Sequence, residues 1–378
     1  MKKIYWSCLA AATAAVFALP AAAADIKIGV ASALSGGAAQ YGAAIKNGFE
    51  LAAGEINAQG GVKGNPLRLV IADEQGKKEE AINVFRKLIF QDQVLMIFGP
   101  TLSNSGQAVN GLAQGSKIVM FGTSLTADGI TSPGEFVFRN SVTEADVLPE
   151  TIKTAVKKAG IKKVAVLYGN DDVFTKSGYD NFRKALADLN IPVTTTETYA
   201  KGDVDFKAQL TKIKATNPDA LVLSALIAEG APIMVQARQL GLNVPVIGGN
   251  GMNSTKVFDL AKGASDNLWV GSPWSASNAA PANQKFIKAY TEKYKVAPDQ
   301  FAAQAYDAMY IAAEALKSVN ISGNVPADRI AFQRALSTVK WSGATGDFQF
   351  RRFGDKGYDA QQKPIVSVTK GTEFVIEK

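Results

Sequence analysis

At 378 residues, 47% hydrophobic and 20% charged, the chain is too long for one comfortable core and points to two lobes. It has no histidine and a single cysteine, Cys8, so disulfides, Cys or His metal sites and any nucleophile that relies on a histidine base are excluded. The formal charge is +7, or +5 without Lys2 and Lys3, and it is dispersed in short pairs such as Lys162-Lys163 and Arg351-Arg352. No basic block is interleaved with aromatics, so nucleic acid is not an expected partner.

Residues 1–24 carry two lysines, an apolar run and a small-residue end with Ala22 and Ala24 in A-x-A spacing. That pattern predicts a secretory signal peptide, cleaved between Ala24 and Asp25, and a mature protein in the periplasm. Cys8 lies close behind the lysines, where a lipidated cysteine would not be placed.

Residues 25–32 alternate polar and apolar and run into the glycine-rich loop 35–42, as a strand leading into a helix should. Ile45, Phe49, Ala52 and Ile56 then fall on one face of a helix that ends at Gly60-Gly61. Residues 67–72 predict a strand, 79–90 a helix and 94–98 a strand.

Residues 97–131 repeat one device. An apolar run stops at a glycine, first Gly99 and then Gly122, and Ser or Thr residues follow at the mouth of a helix. Backbone N–H groups and hydroxyls would there converge at the positive end of a helix dipole, a place to hold a carboxylate. Helix capping is the competing explanation for Ser103 and Thr126.

Strands are predicted at 163–168, 193–199 and 220–223, alternating with helices at 178–189, 206–215 and 231–240. This alternation means parallel sheets covered by helices, an α/β unit built twice around Asn140. Residues 281–319 read as purely helical, and 364–368 with 373–376 as a hairpin around Gly371.

Enzyme motifs are fragmentary. Ser337 to Lys340 fits S-x-x-K and Ser265-Asp266-Asn267 is S-D-N, but their order is reversed and Lys370-Gly371-Thr372 reads K-G-T where K-T-G is needed. Neither a phosphate-binding P-loop nor G-x-G-x-x-G after the first strand is present. The chain is expected to be no enzyme and to need no cofactor or metal.

Tyr41-Gly42, the run from Asn57 through Gly60-Gly61 to Gly64, and Tyr306-Asp307-Ala308 together resemble the leucine/isoleucine/valine-binding family. These are type I periplasmic binding proteins, the substrate-receiving subunits of ABC importers. The resemblance implies two doubly wound parallel-sheet lobes that close on a ligand by a hinge motion. It places three crossovers near residues 140–144, 272–276 and 346–350. Lobe 1 then comprises 25–141 and 276–346, and lobe 2 comprises 142–275 and 347–378.

It also implies a monomer that works with a membrane permease holding the ATPase partner. The alternative is a periplasmic sensor that presents its ligand-bound form to a membrane receptor. By the same resemblance Ser103, Ser124 and Thr126 grip the ligand's carboxylate, and Tyr41, Phe301 and Phe174 wall the site. Where amino-acid-binding members place an acid against the ligand's ammonium, this chain has Asn250, and Leu226 or Ile227 replaces a family aromatic. A buried ammonium without a carboxylate partner is costly. The ligand is therefore expected to be an amine-free keto, aliphatic or aromatic acid, with a branched-chain amino acid as runner-up should Asp171, Asp172 or Glu229 supply the charge.

Overall fold

The computed structural model describes residues 25–377. The expected signal peptide, residues 1–24 with Cys8, lies outside the described residues.

The chain begins with β1 (Ile26–Ser32), α1 (Ala39–Ala58), β2 (Leu67–Asp73), α2 (Lys78–Arg86), β3 (Met96–Phe98), α3 (Ser103–Gly115), β4 (Val119–Gly122) and β5 (Val137–Arg139). It continues with α4 (Glu144–Ala159), β6 (Val164–Gly169), α5 (Val173–Asp188), β7 (Val193–Tyr199), α6 (Lys207–Ala215), β8 (Ala220–Ser224), α7 (Ile227–Gln239), β9 (Val246–Gly248), α8 (Lys256–Ala261) and β10 (Leu268–Ser272). Next come α9 (Pro281–Tyr294), α10 (Gln300–Leu316), α11 (Val325–Leu336), β11 (Lys340–Gly343), β12 (Gly346–Arg352) and β13 (Tyr358–Gln361). The hairpin β14 (Ile365–Lys370) and β15 (Glu373–Ile376) closes the chain.

Two sheets result, ordered β11-β12-β13-β5-β4-β3-β1-β2 and β15-β14-β10-β9-β8-β6-β7. The central strands are parallel and buried on both faces, which is why they read as short apolar runs such as Met96–Phe98. Both sheets are mixed rather than purely parallel: β12 is antiparallel to β11 and β13, and β14 is antiparallel to β10 and β15.

These strands correct one sequence expectation. The third crossover does not fall at residues 346–350, because β12 and β13 remain in the first sheet. Phe350 and Tyr358 bury their rings against Phe138 of β5, at centroid distances of 5.1 and 4.3 Å. The chain leaves the first sheet only after Gln361. Lobe 1 thus extends past residue 346, and lobe 2 regains the chain at β14.

The lobes are closed on each other. Asn104 of α3 donates to Asp172 and accepts from Val173 N at 2.8 Å. Farther along the seam, Ser254 donates to Asp299 at 2.8 Å and Asn253 to Gln300 at 3.0 Å. Among the described residues no helix is long and apolar enough to cross a membrane.

Candidate functional site

A small cavity lies where the two lobes meet. Tyr41, Ser103, Ser124, Thr126, Phe174, Asn250 and Phe301 all line it, joined by Thr101, Leu102, Asp172, Leu226 and Gly251. The structure therefore brings together every residue that the sequence nominated, from both lobes.

The first lobe contributes the polar floor. After β3 the chain turns at Gly99, whose φ is +103° and where a Cβ would come within 2.0 Å of Ala31 O, so only glycine makes this turn. The turn aims the start of α3 at the cavity. Leu102 is the N-cap of that helix and offers no side-chain hydrogen bond, so the first-turn N–H groups lack the usual side-chain cap.

Neither Ser103 nor Thr126 caps a helix: Ser103 is the first helical residue, and Thr126 sits in the loop after β4. The three hydroxyls differ in what they have left to give. Ser124 donates to Thr101 O at 2.7 Å and Thr126 to Glu144 Oε1 at 3.0 Å. Ser103 Oγ accepts from Ala127 N at 3.4 Å, which keeps its own proton free.

Aromatic and aliphatic side chains form the wall. Tyr41 meets Phe301 edge-on, with ring centroids 4.7 Å apart. Its hydroxyl crosses to the second lobe, donating to Gly251 O and accepting from Ile227 N, both at 2.7 Å. Phe174 enters from the first turn of α5, and Leu226, just before α7, lines the same wall.

A model of periplasmic binding proteins matches residues 25–371, nearly the whole described chain. The chain belongs to the periplasmic binding protein family. It is 28% identical over 340 residues to the Leu/Ile/Val-binding protein of Citrobacter freundii, covering 87% of this chain and 90% of that one. It is 29% identical over 353 residues to the leucine-, isoleucine-, valine-, threonine-, and alanine-binding protein of Pseudomonas aeruginosa, covering 93% and 92%. Among solved structures, the branched-chain amino acid transporter substrate-binding protein LivJ of Streptococcus pneumoniae, in complex with isoleucine, matches with a TM-score of 0.86 and 28% identity, covering 94% of this chain and 99% of that one. The family is one of transport receptors rather than enzymes, and this chain is a substrate-binding protein of the ABC importer type.

Besides Glu74, which accepts from Thr101 N and Ser105 Oγ at 3.2 and 3.1 Å, and Asp299, which caps α10 through Phe301 N, four carboxylates bear on the charge a ligand would meet in this binding protein. Asp171 is spent on Lys201 N at the surface, and Glu229 accepts from Gly202 N at 3.0 Å. Asp172 does line the cavity, but one oxygen caps α5 through Phe174 N and Thr175 N and the other accepts from Asn104. Burial raises its pKa.

The fourth, Glu144, was missed by sequence reasoning. Its side chain is fully buried behind Thr126, whose hydroxyl donates to Oε1, while Oε2 packs against Gly249 and the backbone of Asn250. Burial pushes its carboxyl up to about 8, against the opposing pull of the Thr126 hydroxyl. In sequence it follows the Thr143 N-cap and opens α4, so it reads as an ordinary acidic residue in a first helical turn.

Proposed function

We propose that the binding protein captures a small carboxylic acid in the interlobe cavity and delivers it, enclosed, to a membrane permease. The observation that carries this reading is the start of α3: first-turn N–H groups without a side-chain cap and the free Ser103 proton face one lined space. Such a corner solvates a carboxylate with fixed donors and a favourable dipole. The relatives' names point the same way, since leucine, isoleucine and valine all carry a carboxylate beside a small apolar body. Tyr41, Phe301, Phe174 and Leu226 supply the matching apolar wall.

Binding begins on the first lobe, and the second lobe closes over the ligand with Asn250 and Phe174. The Tyr41 hydroxyl then ties the lobes together, and the closed surface is what a permease recognises. The ligand drives closure only through its tighter grip on the closed form. The mature protein begins at Asp25 and acts in the periplasm as a monomer.

The test is a thermal-shift screen of the refolded, ligand-stripped protein 25–378 against leucine, isoleucine, valine, their 2-oxo acids and benzoate-type acids. A rise in melting temperature with at least one of them is expected by mass action. No rise with any small carboxylic acid would overturn the reading.

A further inference from the structure

Asn250 is held by a neighbour outside the cavity lining. Gln300, the first residue of α10 in lobe 1, donates its Nε2 to Asn250 Oδ1 at 2.6 Å and to Asn250 O at 3.3 Å. The orientation of Gln300 is itself set, because Asn250 O is a backbone carbonyl that only accepts and so requires Nε2 on that side, while Oε1 accepts from Asn253 Nδ2 at 3.0 Å. This chain of amides fixes which end of Asn250 is used. Its carbonyl oxygen is occupied, and its Nδ2 has no partner among the described residues although Asn250 lines the cavity. An amide nitrogen is donor only.

We propose that Gln300 is a positioning residue that turns the Asn250 amide so that it presents N–H donors to the cavity, and that the site thereby selects a carboxylic acid carrying a hydrogen-bond acceptor, a 2-oxo acid, over the 2-amino acid of the same skeleton. The inference rests on the proposed carboxylate-binding function and names the ligand class of that site. An ammonium is also donor only, so against Asn250 it would meet N–H groups with nothing to accept its protons. A 2-oxo oxygen accepts from the same N–H groups. The one carboxylate in the lining, Asp172, already accepts from Phe174 N, Thr175 N and Asn104 Nδ2, and burial raises its pKa, while Glu144 stands behind Thr126, outside the lining, with burial favouring its neutral form. Sites that pair a ligand's polar group correctly reject the mismatched analogue strongly, because a buried group is otherwise left unpaired.

The experiment measures Kd by calorimetry for matched pairs on the ligand-stripped protein 25–378: 4-methyl-2-oxopentanoate with leucine, 3-methyl-2-oxobutanoate with valine, phenylpyruvate with phenylalanine. The 2-oxo member of at least one pair should bind tenfold or more tightly. Gln300→Glu keeps the shape but removes the donor, so that Asn250 must turn its Nδ2 toward residue 300 and its oxygen toward the cavity. The 2-oxo to 2-amino preference should then fall at least tenfold.

A residue that merely stiffened the seam would weaken both members alike and leave the ratio unmoved, which would overturn the role of Gln300. Should Gln300→Glu fail to fold, Gln300→Met, which frees the amide to adopt either orientation, should move the ratio in the same direction. Tighter binding of the amino acids would overturn this inference while leaving the carboxylate reading intact, whereas no binding of either member of any pair, together with a flat screen, would remove both.

Discussion

The Tyr41 hydroxyl and the Gly251 carbonyl, 210 residues apart, are joined across the two lobes by a 2.7 Å hydrogen bond, and the same hydroxyl accepts from Ile227 N. One side chain of lobe 1 thus satisfies two buried backbone groups of lobe 2, but only when the lobes are shut. Tyr41→Phe keeps the ring and its 4.7 Å contact with Phe301 while leaving both backbone groups unpaired in the closed form. Leaving a buried polar group unpaired costs ~1–3 kcal/mol, so the Kd of whichever ligand the screen finds should rise about 10- to 100-fold. The melting temperature of the ligand-free protein should move little. Unchanged affinity in calorimetry would show that the bond plays no part in closure.

The three hydroxyls at the first-lobe floor should not be equivalent. Ser103→Ala removes the one hydroxyl proton of the three that has no partner among the described residues, and affinity should drop by about tenfold or more, the loss of a hydrogen bond to a charged group being ~1.5–3 kcal/mol. Ser124→Ala removes a proton already given to Thr101 O, and its effect on affinity should be the smaller. Ser103→Ala should spare apo stability, since Ser103 caps no helix, whereas Thr126→Ala also strips the buried Glu144 carboxyl of its hydrogen bond and should lower it by ~1–3 kcal/mol. A large fall in apo melting temperature for Ser103→Ala would instead make that residue structural.

Glu144 gives the ligand-free protein a pH dependence whose direction follows from its environment. Its folded pKa of about 8 lies above the ordinary 4.5, so between those values the native state holds a proton that the unfolded chain has released. The stability this contributes is complete below about pH 4.5 and is lost as pH rises through about 8, at a slope approaching ~1.4 kcal/mol per pH unit. Glu144→Gln removes the proton and hence this part of the slope. Urea titrations of both proteins from pH 4.5 to 8 should diverge, with the wild type losing ground at the alkaline end. Parallel curves would mean that Glu144 is ionised in the folded protein.

Much of the fold could be read from the chain because the buried parallel strands are short apolar runs and α1 repeats its apolar face at Ile45, Phe49, Ala52 and Ile56. The sequence pattern places the start of α5 at residue 178, whereas it lies at Val173, since Asp172 caps it through Phe174 N and Thr175 N, a signal masked by the polar run around it. Strands β11 to β13 leave little signal in the sequence because they lie toward the sheet's edge, where Arg351 and Arg352 interrupt the alternation of Phe348 and Phe350. At the site, glycine turns and hydroxyls mark the carboxylate corner in sequence. Tyr41, Phe174 and Phe301 need a known relative to stand out among core aromatics, and Glu144 and Gln300 need the folded chain, for their roles depend on partners 18 and 50 residues away.

The loop that bears Ser124 and Thr126 depends on an ion pair that ties it to the late strand β13. Arg139, whose side chain is 2% exposed, holds Asp359 through Nε at 2.7 Å and donates from Nη1 to Leu125 O and Ala127 O at 2.8 and 2.7 Å. Removing one member of a buried pair leaves the other uncompensated, at ~3–5 kcal/mol. Arg139→Met should therefore destabilise the protein by about that much and also weaken ligand binding, because two backbone carbonyls of the site loop lose their donor. Asp359→Asn leaves the loop bonds in place and should cost less. In a double-mutant cycle by urea denaturation, the pair should fall short of additivity by more than ~1 kcal/mol. Additive losses would mean that Arg139 acts on the loop alone, and that the placement of β13 in the first sheet does nothing for the site.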